Sequence, residues 1–175
     1  TCSFEQWQWK LDDAARRQER AREAAERRNI FRARLSEFAL PLVPLDLLDD
    51  VAGVYELSAY DIDGETPQER LTSLMGGDED LVQAALAALR NTIHRTDLPT
   101  AEETLAANAE GNRMVLNVPV LISLELAYRQ DPAFLDSMPD ERLVTALVAH
   151  LVRSVEHHDT WVAAAVASRP QCMAD

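Results

Sequence analysis

The chain predicts an all-α fold: a helical bundle or a short α-solenoid of antiparallel helix pairs, behind a long charged N-terminal helix. Three observations carry that expectation. Apolar residues recur at three- and four-residue steps through most of the sequence. Thr66-Pro67-Gln68-Glu69 and Thr100-Ala101-Glu102-Glu103 read as capping boxes, in which a Thr hydroxyl accepts from an early helix N–H and the Glu three residues on reaches back. Only five glycines occur among the 175 residues, while Leu, Ala and Arg are abundant and favour helix over strand.

The first helix is expected over about 5–38, a stretch without Gly or Pro. Asp12 and Arg16, Asp13 and Arg17, and Glu23 and Arg27 are acid-first pairs at i,i+4, the better orientation for helix support. At 1.5 Å per residue such a helix is about 50 Å long. Its heptad seam runs Trp7, Leu11, Ala14, Gln18, Ala21, Ala25, Arg28, Arg32, Leu35, and half of its apolar members are only alanine. So small a seam buries too little for a self-contained coiled coil, and the helix reads as a connector. Its ends, with Trp7, Trp9, Ile30, Phe31, Leu35 and Phe38, are expected to dock, and its middle to stay exposed. Pro41 and Pro44 then divide a connector, 1–40, from a helical-repeat-like domain, 41–175.

Within that domain a second helix is expected from about Pro44 to Tyr60, followed by a turn at Asp61-Ile62-Asp63-Gly64-Glu65. Thr66 caps a third helix that stops at Gly76-Gly77, and Asp78 caps a fourth that runs to about Arg95. Thr100 opens a fifth, with Gly111 and Asn112 near its end. Pro119, at a first-turn position, suits a sixth to about Gln130. Val and Ile cluster at 115–123, the one place where a strand competes with helix. A short turn after Asp131-Pro132, a long helix from Pro139 to about Glu156, and a last one from about Asp159 to Ser168 complete the series.

The charge is uneven. Residues 1–34 carry nine Lys/Arg against six Asp/Glu, whereas the remainder is strongly acidic and brings the whole to −13. An acidic body disfavours nucleic-acid backbones and anionic membrane surfaces. No apolar run is long enough to span a bilayer and no signal peptide opens the chain, so a cytoplasmic protein is expected. Cys2 and Cys172 form no metal-ligand spacing and read as free thiols. Because the sequence begins with Thr1, it reads as a piece of a longer or processed protein.

No complete catalytic or cofactor motif is present. The sharpest polar cluster is His150, Glu156, His157, His158 and Asp159, whose imidazoles and carboxylates are good zinc ligands. His150, His157, His158 and Asp159 are therefore the candidate metal set of an alternative reading, a metal-dependent hydrolase. The spacing opposes it: His150 and His157 lie two turns apart on a continuous helix, and adjacent histidines diverge. Asp61-Ile62-Asp63-Gly64 brings a calcium loop to mind, but Arg70 falls where the bidentate Glu belongs. No phosphate-binding loop follows Gly76-Gly77, and no serine sits in a nucleophile elbow.

The stretches 61–71, 76–82 and 95–99, with the helix and turn of 143–170, resemble helical, HEAT-like α-solenoid regions of large bacterial multidomain proteins, some of which carry a signalling NTPase upstream. That resemblance implies no catalytic residue here. It implies a module that senses, spaces or oligomerises, with any nucleotide chemistry outside this chain. The expected function is accordingly a non-catalytic scaffold or interaction module. It needs no cofactor, and its partners are proteins or other domains of the same chain. Trp7, Trp9 and Phe31 on the arm and Asp61, Asp63 and Glu65 in the acidic loop are the expected contact residues.

Overall fold

The computed structural model describes residues 4–56, 64–153 and 160–173, and among these the chain is helical with no strand. Nine α-helices follow in order among the described residues. They are α1 Phe4–Ala33, α2 Leu45–Glu56, α3 Pro67–Leu74, α4 Glu79–Asn91, α5 Ala101–Ala109, α6 Asn117–Gln130, α7 Phe134–Ser137, α8 Asp140–Leu151 and α9 Thr160–Ser168. Short 3₁₀ segments occupy Leu35–Ala39, Thr92–His94 and Pro170–Met173.

Local chemistry sets the boundaries. Thr66 Oγ1 accepts from the Glu69 N–H at 3.2 Å while the Glu69 carboxylate accepts from the Thr66 N–H at 3.1 Å. Thr100 and Glu103 repeat the arrangement at 3.1 and 2.8 Å. At their other ends α3 and α5 close on Gly76 and Gly111, whose φ angles of 65° and 75° suit glycine. Each then makes the paired terminal bonds of a left-handed cap, with the Gly77 N–H on the Thr72 carbonyl at 3.0 Å and the Asn112 N–H on the Ala107 carbonyl at 2.8 Å. Helices of eight and nine residues are marginal alone, so capping at both ends matters to them.

The Val- and Ile-rich stretch that competed for strand is the start of α6, and α6 is the centre of the molecule. It buries an unbroken run from Pro119 to Leu124, the mark of a helix covered on all sides. Its neighbours are α2, α4, α8 and α9. Ile122 joins one core with Leu47, Val51, Leu71, Leu81 and Leu89. Val120, Leu121 and Leu124 join a second with Ile93, Leu143, Leu147 and Trp161. Between them the buried Ser123 hydroxyl accepts from the Ile93 N–H at 3.1 Å and donates to the Arg90 carbonyl at 2.6 Å. This is a bundle wrapped on a central helix, and its contacts do not follow the pair-after-pair order of a solenoid.

Two elements are shorter than expected. α1 ends at Ala33 rather than near residue 38, because the 3₁₀ segment turns Phe38 back onto Phe31, edge to face at 6.1 Å. α8 ends at Leu151 rather than near Glu156; beyond it the Val152 N–H closes on the carbonyls of Val148 and His150, and Arg153 turns inward to Glu56. Among the described residues, the last turns of α1 hold it to the body. Arg28 donates from Nε to the Leu74 carbonyl at 3.0 Å, and Arg32 pairs with Asp78 at 2.6 Å. The Arg28 guanidinium lies so close to Gly76 that a Cβ there would sit 2.5 Å from its Cζ.

Candidate functional site

The contact residues expected from the sequence have different fates. Trp9 is 63% exposed on α1, so at Trp9 the arm is not docked. Trp7 belongs to α1, but its side chain lies outside the described residues. Phe31 is a correction: it is fully buried against Phe38 and anchors the foot of the arm, so it offers no surface to a partner. Asp61 and Asp63 lie outside the described residues. Glu65 is exposed, and its N–H donates to the Glu69 carboxylate at 2.9 Å.

Of the histidine cluster, His157, His158 and Asp159 also lie outside the described residues. His150, half-buried on α8, meets the fully buried Trp161 ring edge to face at 6.2 Å. Among the described residues no group of three His, Cys, Asp or Glu side chains is placed to hold a metal ion.

The foot of the arm is an electrostatic seam. Arg32 donates to Asp78 and holds its carboxyl below the usual carboxylate range, helped by the Leu81 N–H. Arg34 does the same for Glu37 and Asp46. Asp50 behaves oppositely: burial pushes its carboxyl up, and Arg27 offsets only part of that.

The structure also assembles a cleft that no motif announces. The C-terminal ends of α2, α5 and α8 meet the N-terminus of α6 around a volume of about 420 Å³. One wall carries an ion pair between Glu56, the last residue of α2, and Arg153, just past α8; their side chains are 13% and 9% exposed. The Arg153 Nη1 is buried and has no hydrogen-bond partner among the described residues. An unmet buried donor costs about 1–3 kcal/mol, and more when it is charged. A buried ion pair offsets its desolvation only when its remaining polar atoms are satisfied.

The rest of the lining is mixed. Met114, Val118, Ala149 and Val152 give apolar walls, and Asn108 and Asn117 contribute amides. Arg113 is held at the rim by Asp49 at 2.5 Å. The Thr104 hydroxyl is occupied, donating to the Thr100 carbonyl at 3.0 Å. α6 opens into the cleft with Leu116 at its cap and no side-chain cap bond. Among the described residues the lining includes no His, Cys or Ser. Amides and a guanidinium hold a ligand through hydrogen bonds.

Sequence reasoning passed over this cleft because Glu56 and Arg153 each look like ordinary polar residues at helix ends. Only the packing of α2 beside α8 across α6 brings them together. No family model, curated protein or solved structure matches the chain.

Proposed function

We propose that the chain is a non-catalytic helical interaction module whose partners are proteins or other domains of a longer chain, with the α1 arm as its contact surface. The observation that carries this reading is the exposure of α1. From Asp12 to Glu23 every side chain except Asp13 and Arg20 is exposed, and Trp9 beyond them presents an indole to solvent. Most helical stability in proteins comes from tertiary packing, and this half of α1 has little. Local pairs between Asp13 and Arg17 and between Glu19 and Arg22 support it instead. An exposed Trp on a charged helix is a strong anchor for a partner.

Two further features support the reading. Ile30, Leu35, Leu40, Leu42 and Leu45 are all exposed near the foot of the arm, and apolar side chains left in solvent there are available to a partner. The acidic body would attract basic protein partners and repel nucleic acid. A cytoplasmic setting and a sensor or oligomerisation role beside an NTPase belong to the same proposal. No helix among the described residues is long and apolar enough to cross a membrane.

Site-specific photocrosslinking tests the proposal. A benzophenone placed at Trp9 is expected to give protein adducts, or adducts to the rest of its own longer chain. The same probe at Gln83, on the exposed face of α4, is expected to give only background. Nucleic-acid adducts from the arm, or no excess over Gln83, would overturn it.

A further inference from the structure

We infer that α1 pairs antiparallel with α1 of a second copy of this chain, with Trp9 of each arm packed on Ile30 of the other. The inference rests on the reading of α1 as a contact surface and names its partner. Trp9, Asp12, Arg16, Glu19, Glu23 and Ile30 recur at three-, four- and seven-residue steps, so they share one face of α1. All six are exposed, and the two at the ends are large and apolar. This stripe is not the alanine-rich seam read from the sequence, which runs through Ala14, Ala21 and Ala25 on another side of the helix. Trp9 and Ile30 stand about 32 Å apart along one helix, so neither can cover the other within a single molecule.

The charges between those ends choose the orientation. In a parallel, in-register pair Asp12, Arg16, Glu19 and Glu23 would each meet their own copies, like charge on like. An antiparallel pair with its two-fold axis between positions 19 and 20 brings opposite charges together instead. Trp9 then faces Ile30 of the second copy, Arg16 faces Glu23, Asp12 faces Arg27 and Glu19 faces Arg20, and the symmetry makes each contact twice. Arg20 and Arg27 are half-buried at the border of the stripe, so the exposed Arg16 and Glu23 carry the selection. The same register sets Asp13 against Glu26 and Arg17 against Arg22. Those like charges lie toward the flanks, where Asp13 and Arg17, and Glu19 and Arg22, already pair within each arm. Exposed ion pairs fix register and orientation more than affinity, which comes from the two Trp9–Ile30 ends. Two apolar ends around a polar middle make a weak interface, with a dissociation constant on the order of 10⁻⁵ M.

Sedimentation equilibrium of the purified chain, under reducing conditions and from about 5 to 500 µM, should show monomer and dimer in exchange. W9A and E23R should each weaken the dimer at least about tenfold, the first by removing an apolar end and the second by setting like charges across the pair. R16E combined with E23R exchanges the two charges and should restore most of the loss, because each arm again meets its opposite. Circular dichroism checks that every variant stays helical. A benzophenone at position 9 reads the register without any change of charge: in a mixture of isotope-labelled and unlabelled chain it should crosslink to peptides around Ile30 of the other copy. The inference is overturned by a chain that stays monomeric throughout that range, by a dimer that E23R leaves unchanged, by a folded double variant that is not restored, or by adducts that miss the region of Ile30. A monomeric chain whose arm still crosslinks to a different protein would overturn it and leave α1 standing as a contact surface.

Discussion

Arg95 and Asp97 pair fork to fork, with Nε on Oδ1 at 2.8 Å and Nη2 on Oδ2 at 2.7 Å, while the Arg95 Nη1 donates to the Val43 carbonyl at 2.6 Å. The Arg95 side chain is only 4% exposed. One guanidinium therefore fixes the turn after α4 to the segment that precedes α2. R95A is expected to lower unfolding free energy by about 3 kcal/mol, because it strands a buried carbonyl and an aspartate. R95K should recover little of this, since an ammonium cannot serve the fork and the carbonyl together. Urea denaturation of the three proteins measures both effects.

Two carboxylates near the foot of α1 titrate in opposite senses. Asp78 has a lowered pKa, so its stabilisation is present above the ordinary carboxylate range and is lost as the pH falls through its folded value. Asp50 has a raised pKa, so its protonated form is favoured in the fold and its contribution is lost as the pH rises through its folded value. D50N should therefore raise the melting temperature at neutral pH, and D78N should lower it. Asn caps a helix about as well as Asp, so D78N reads the Arg32 pairing rather than the cap. The D50N difference should shrink as the pH falls toward about 4, whereas the D78N difference should persist there and shrink only at lower pH. Thermal melts across that range decide the signs.

α5 depends on its cap more than its neighbours do. Thr104 is its only fully buried residue, and the Thr104 hydroxyl bonds back to Thr100. T100A is expected to cost about 1 kcal/mol and to speed amide exchange through 101–109, while α4 and α6 keep their protection. Hydrogen-exchange mass spectrometry resolves the three helices.

Ser123 is the single polar side chain in the buried run of α6. S123A leaves the Ile93 N–H without its acceptor in the core and should cost about 1–3 kcal/mol. An unchanged denaturation midpoint would mean that the N–H finds another acceptor.

The local chemistry of the fold was legible in the letters. Thr66, Thr100, Gly76 and Gly111 start and stop helices where their types predict, because caps act within one turn of chain. Long-range choices were not legible. The central place of α6 was hidden because an all-round apolar helix has no seam, and its Val and Ile residues also suit a strand. Phe31 and Trp9 looked alike as aromatic residues on a charged helix, yet one seals the core and the other is solvated. The end of α8 was overestimated because Val152 continues its apolar pattern, and pairing with Glu56 across the bundle leaves no trace in local periodicity. The cleft depends on four helix ends arriving together, so no single segment encodes it.

The position of α6 has a consequence for how the body behaves as matter. Its residues serve both apolar clusters, so loosening either one removes a wall of the other. A stack of repeats can shed a terminal unit and survive; a hub with spokes cannot. Melting of the body should be all-or-none, and limited proteolysis should trim the arm while yielding no stable sub-fragment of the remainder.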